Sequence, residues 1–221
     1  LMLPSLVVID PATTVSLSAD ITAATGIDAL SQLIEAFVSV KANPVTDALC
    51  RAGIARAARS LRRACESPTD LDAREDMALA AWWSGMALAN AGLGAVHGFA
   101  AALGGLSTAP HGLICATFLA PVCRANAEQA IAAGRADLVG RFAEIAALLT
   151  GRPDATWRDG VQWLEELACA LPLISLRDFG IDRIDANAVI DAAIASSSMK
   201  GNPVPLERSA LAGMLARAGG A

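Results

Sequence analysis

Leu113, Ile114, Thr117 and Phe118 fall at the three- and four-residue spacings of one helix face, and helical character runs through nearly the whole chain after residue 18. Turn-forming residues divide it. Asp20 or Thr22 can cap a helix carrying residues 28–40, which Asn43-Pro44 ends because the residue before a proline is pushed out of the α region. An Ala- and Arg-rich helix follows from Val45 to Cys65 and breaks at Ser67-Pro68-Thr69-Asp70. Asp70 and Asp72 place negative charge at the positive end of the next helix, which runs through Trp82-Trp83 to about Asn90. Pro110 suits the first turn of another. Further helices are predicted over 132–149, 157–170, 185–196 and 206–218, separated by Gly151-Arg152-Pro153, Pro172 and Gly201-Asn202-Pro203.

Only Ser5 to Asp10 has the short β-branched character of a strand, and Pro11 stops it. The pattern predicts an all-α fold of seven or more helices with one short peripheral N-terminal strand. Residues 1–18 form the strand and a connector, and residues 19–221 form one helical domain. No strands alternate with the helices, which excludes a parallel α/β sheet, and no fixed-period repeat or low-complexity linker is present.

With 54% hydrophobic residues in 221, the chain has ample material for a buried core. Asp and Glu outnumber Lys and Arg by 22 to 17, with no polybasic run, so nucleic acid is not an expected partner. Five cysteines, with no C-x-x-C pair, read as reduced thiols in the cytosol, and Leu1-Met2-Leu3-Pro4 carries no targeting signal. No Asp, Glu, Lys or Arg occurs from Met77 to Cys123. Ser84, Asn90, His97, Ser107, Thr108, Pro110 and His111 interrupt that stretch, which is therefore read as protein interior and not as a membrane span.

The chain has two histidines, His97 and His111, and both lie in this uncharged stretch. A lone histidine in apolar surroundings is more often a hydrogen-bonded core residue than a ligand. Burial disfavours its charged form, however, and leaves a neutral ring nitrogen for a metal. Asp28 follows Thr25-Gly26-Ile27 in an otherwise apolar helix, with Gln32 and Glu35 on the same face at four- and seven-residue spacing. A carboxylate there either meets the helix dipole or joins the two imidazoles as three ligands that leave a position open. Glu35 and Ser31 are placed to shape such a site, but a solvated helix face accounts for Glu35 equally well, and neither is assigned a role. Gly92 to Gly98 lacks a preceding strand and G-x-G-x-x-G spacing, so close helix packing explains it better than phosphate binding.

The stretch Thr25-Gly26-Ile27-Asp28-Ala29-Leu30-Ser31-Gln32-Leu33-Ile34-Glu35, the pair His97-Gly98, and Pro110-His111-Gly112 fourteen residues on together resemble the signature segments of the iron-containing (group III) alcohol dehydrogenases. Asp10-Pro11, 42–47 and Gly201-Asn202-Pro203 fall in the family's order. The resemblance implies the helical, dehydroquinate synthase-like half of such an enzyme, with residues 19–221 binding metal and substrate. It matches Asp28, His97 and His111 to metal ligands and puts Gln32 where a ligating histidine is common. Gln32→His is expected to tighten metal binding. Ala101 stands where a further histidine is often found. The implied cofactors are a divalent metal, iron(II) ahead of zinc(II), and NAD(P). The implied partners are a small alcohol or aldehyde and further copies of the chain, as a dimer or other homo-oligomer.

The family's nucleotide-binding domain is expected to be absent from this chain, which would leave it inactive with NAD. A residual helical or oligomerisation domain without catalysis is the alternative. A related sugar-phosphate cyclising lyase ranks last, because no basic residue lies between Met77 and Cys123 to hold phosphate. The metal reading requires the Asp28 and His97 side chains to lie within about 10 Å of each other.

Overall fold

The computed structural model describes residues 5–219. Among them are nine α-helices, short 3-10 turns and no strand. The central element is α1 (Ala19–Val38), which packs on α2 (Pro44–Glu66), α3 (Leu71–Ala91) and α5 (His111–Ala132). Next to it, α4 (Ala95–Leu106) packs on α5 and α8 (Ala186–Ala195). Helices α6 (Ala136–Thr150) and α7 (Trp157–Ala170) pair with each other and cover α5, and α9 (Arg208–Gly219) closes against α5 and α8.

Ile27, Leu30, Leu33, Ile34 and Phe37 recur along one stripe of α1 and are almost wholly buried. Burial of each contributes about 1.5–3 kcal/mol. Helix α1 is long and apolar enough to cross a membrane, yet 72% of its apolar window is buried inside the fold. Asn43-Pro44 serves as a start rather than a stop: Asn43 and Thr46 form a reciprocal capping box, with Pro44 in the first turn of α2. The helix expected over 132–149 begins later, at Ala136, because Gly134 adopts φ +68° and separates it from α5.

The peripheral strand does not form. Residues 5–10 carry no regular secondary structure; Val7 and Ile9 line a hollow with Leu79 and Trp82 of α3, while Leu6, Val7 and Val8 are all exposed. A strand needs a partner for its backbone donors and acceptors, and the described chain offers no sheet edge.

Two glycines set the helix approaches that matter most. A Cβ on Gly112 would stand 2.1 Å from the carbonyl oxygen of Ala24, so α5 crosses α1 backbone to backbone beside His111. A Cβ on Gly201 would meet the carbonyl oxygen of Leu93 at the same distance. Among the glycines over 92–105, Gly94 is the one that lies against α1, at Glu35. Gly98 faces α8, while Gly104 and Gly105 face open space.

Candidate metal centre

Asp28 lies on α1, one turn before Gln32 and two before Glu35, which is why the three share a face. Helix α3 ends at Gly92, in the positive-φ conformation, and the chain bends by 98° into α4. That bend brings the start of α4 over Glu35. The Glu35 carboxylate accepts hydrogen bonds from the backbone of Val96 (2.7 Å) and His97 (3.4 Å), while Asn202 accepts one from Ala95 (3.1 Å). Carboxylate and amide together occupy the first-turn donors of Ala95, Val96 and His97 at this helix N-terminus, where a phosphate would otherwise bind. Gly201-Asn202-Pro203 is thus a bracket for α4, tied further by a reciprocal pair between Asn202 and Asn126.

His97 is buried with both ring nitrogens engaged. Nδ1 lies 2.7 Å from Glu35 Oε2 and Nε2 lies 3.1 Å from Asp28 Oδ1. His111, half exposed at the head of α5, brings its Nε2 to 3.5 Å from the same Asp28 oxygen. The two rings are tilted, with centroids 5.4 Å apart, and Phe99 stacked on Phe118 at 4.2 Å fixes α4 on α5 beneath them. One turn after His111, the buried Cys115 puts its Sγ 3.9 Å from His97 Nε2. Asp28, His97, His111 and Cys115 offer four donor atoms that all lie within 4.8 Å of one another.

The charges in this cluster are strongly coupled. Burial disfavours an imidazolium at His97, but hydrogen bonds to Asp28, Cys115 and Glu35 outweigh it and push the ring up to about 12. His111 is pushed up to about 10, chiefly by its hydrogen bond to Asp28 and then by Cys115, against burial. For Asp28, burial raises the carboxyl, and the two imidazoles more than reverse this, holding it well below the usual carboxylate range.

Carboxylate, imidazole and thiol donors this close suit a divalent transition metal. Glu35 bound to Nδ1 leaves Nε2 of His97 for the cation. Three of the residues singled out in sequence, Asp28, His97 and His111, converge on one point. Gln32 lies beside them: its Nε2 donates to Asp28 Oδ2 at 3.0 Å and its Oε1 accepts from Ser84 at 2.7 Å.

Two residues were missed. Glu35 is buried and holds His97, where the sequence left a site-shaping role and a solvated face on equal terms. Its seven-residue spacing from Asp28 was the available signal. Cys115 was left among the generic thiols, although His111-x-x-x-Cys115 puts both on one helix face.

Residues 22–219 match the profile of the Fe-containing alcohol dehydrogenase family, C-terminal. The chain is 37% identical over 213 residues to 1,3-propanediol dehydrogenase of Klebsiella pneumoniae, covering 91% of this chain and 51% of that protein. It is 36% identical over 203 residues to alcohol dehydrogenase 4 of Schizosaccharomyces pombe, covering 91% and 46%. Among solved structures, that of a 1,3-propanediol oxidoreductase superimposes with a TM-score of 0.84 at 36% identity over 95% of this chain and 54% of the other. An alcohol dehydrogenase from Oenococcus oeni gives 0.81 at 30% identity, over 95% and 54%. The chain therefore spans about half the length of the relatives it matches. Profile, relatives and backbone agree, and the chain belongs to the Fe-containing alcohol dehydrogenase family, matching its C-terminal helical domain.

Proposed function

We propose that this chain is the metal-holding half of an NAD(P)-dependent alcohol dehydrogenase, which transfers hydride between a small alcohol and its aldehyde or ketone. The observation that carries the proposal is the convergence of His97 and His111 on a single oxygen of Asp28, at 3.1 and 3.5 Å. A divalent cation bound there would supply Lewis acidity at the alcohol oxygen. The residues of the chain do the positioning. Glu35 fixes the His97 ring, Gln32 orients the Asp28 carboxylate, and the exposed side of His111 leaves the cluster open to substrate.

A mostly apolar hollow of about 120 Å³ is lined by Asp20, Ile21, Ala24, Pro110, Leu113 and Leu173, at the starts of the same two helices, α1 and α5, that carry Asp28 and His111. Its size and lining suit the carbon chain of a short alcohol. The nicotinamide must be held in contact with the substrate carbon, and much of the acceleration comes from that positioning. We assign that task to a nucleotide-binding domain outside residues 1–221. The five free cysteines support a reducing, cytosolic setting. The exposed Leu6 and Val8 support self-association.

The test is a paired assay of this chain and of a version extended upstream through a nucleotide-binding domain, each loaded with iron(II) or zinc(II) and given short alcohols. NAD reduction only by the longer protein, abolished by His111→Ala, is the expected result. Silence from both across the panel would overturn it in favour of a helical domain without catalysis.

A further inference from the structure

We propose that Cys115, as a thiolate, is the fourth metal ligand of this chain, that Gln32 is a positioning residue for Asp28, and that the site therefore selects zinc(II) over iron(II). The inference rests on the metal-site proposal and specifies its donor set.

Gln32 is turned the wrong way to bind a cation. A carboxylate oxygen can only accept, so the amide atom 3.0 Å from Asp28 Oδ2 is the NH2 group. The carbonyl oxygen, the one atom of the side chain able to bind a cation, points instead at the Ser84 hydroxyl, 2.7 Å away. This pairing satisfies Oδ2 and leaves Oδ1 of Asp28, the oxygen that both imidazoles face, for the metal.

Cys115 has what Gln32 lacks. It is buried on the His111 face of α5, with Sγ 3.9 Å from His97 Nε2. Bonds of ~2.0–2.3 Å in a tetrahedral zinc site put neighbouring donors ~3.3–3.6 Å apart. The separations of 3.1, 3.5 and 3.9 Å bracket that range, and all four donors lie within 4.8 Å of one another, so closing the site takes adjustments of up to about an ångström.

Binding exchanges the S–H bond for a metal–sulfur bond and releases the proton to solvent, with no electron transferred. A thiolate among nitrogen and oxygen donors shifts preference from iron(II) toward zinc(II) and its spectroscopic substitute cobalt(II). None of the other four cysteines belongs to the cluster.

Metal-free protein titrated anaerobically with cobalt(II) should develop visible d–d bands together with a near-ultraviolet thiolate-to-cobalt charge-transfer band. Cys115→Ser, nearly isosteric, should lose the charge-transfer band, and its preference for zinc(II) over iron(II) in competition should fall on the order of tenfold. Gln32→Ala should keep the band while binding cobalt about tenfold more weakly, as loss of an outer partner does. Visible bands without charge transfer in the unaltered protein would overturn the Cys115 assignment and leave the metal site standing. No cobalt binding at all would overturn the metal site itself. A zinc-to-iron preference unchanged in Cys115→Ser would overturn the selectivity. The decisive spectrum belongs to the unaltered chain, so the test survives a variant that fails to fold.

Discussion

Glu35 accepts a 2.7 Å hydrogen bond from Nδ1 of His97 and thereby turns the other ring nitrogen toward Asp28. The same carboxylate anchors the first turn of α4 through Val96 and His97, so one side chain on α1 sets both where α4 starts and which tautomer its histidine presents.

Glu35→Gln is therefore expected to weaken metal binding by about 10- to 100-fold, the range typical of a lost outer partner, while the fold persists. Glu35→Ala additionally strands a buried backbone donor and should cost about 1–3 kcal/mol of stability. Metal titration by calorimetry and urea unfolding of the metal-free variants separate the two effects. Equal loss of stability in both variants would show that the carboxylate serves packing alone.

The titration of the cluster gives the metal-free protein a defined pH response. His97 and His111, pushed up to about 12 and about 10 from an ordinary 6.5, are raised in the folded state. Their contribution to stability is complete below 6.5 and is lost as the pH rises through those values. Asp28, depressed below its ordinary 3.8, contributes above that value and loses its contribution as the pH falls through the lower folded one. Urea midpoints measured with chelator present should therefore fall from about pH 6 to about pH 9. Metal requires the unprotonated rings, so affinity should instead rise over this interval with release of protons. Calorimetry in two buffers of different ionisation heat measures that release. Release of no more than the single proton assigned to the Cys115 thiol would mean that the imidazoles are already neutral before metal binds.

Gly112→Ala should separate α5 from α1, since the new Cβ falls 2.1 Å from the Ala24 carbonyl oxygen and backbone cannot yield as a flexible side chain can. Overpacking of this kind costs about 1–3 kcal/mol, and the displacement carries His111 away from Asp28, so metal affinity should fall with stability. Gly104→Ala is the contrast: nothing lies within 4 Å of its Cβ position in α4, and the substitution should stabilise by about 0.5–1 kcal/mol. Thermal melts of the two variants check the opposite signs.

Asp28, His97 and His111 were legible in sequence because each is rare where it stands: a carboxylate in an apolar helix, and the only two histidines within a stretch free of charge. Resemblance of the surrounding segments supplied their common purpose. Glu35 was not legible, because a carboxylate at helical spacing looks alike whether it meets water or caps another helix. That difference depends on the 98° bend after Gly92. Helix-forming segments were readable from periodicity, whereas Asn43-Pro44 was taken as an end when its hydrogen bonds make it a beginning. The 5–10 segment has the β-branched character of a strand, but a strand is a property of two paired segments, and among the described residues no second one pairs with it.

Asp28 and His97 stand 69 residues apart in sequence, and His97 and Cys115 stand 18 apart. The donors meet only after α1 has docked on both α4 and α5, late in folding, since long loops must close before such contacts are rewarded. A cation held by this set strengthens interactions missing from the folding transition state, and so slows unfolding while leaving the folding rate alone. Occupancy then acts as a brake on the loss of the fold rather than a seed for its formation. Metal supply would govern how long each folded molecule survives rather than how many are made, and unfolding kinetics with and without zinc are expected to differ in the unfolding limb alone.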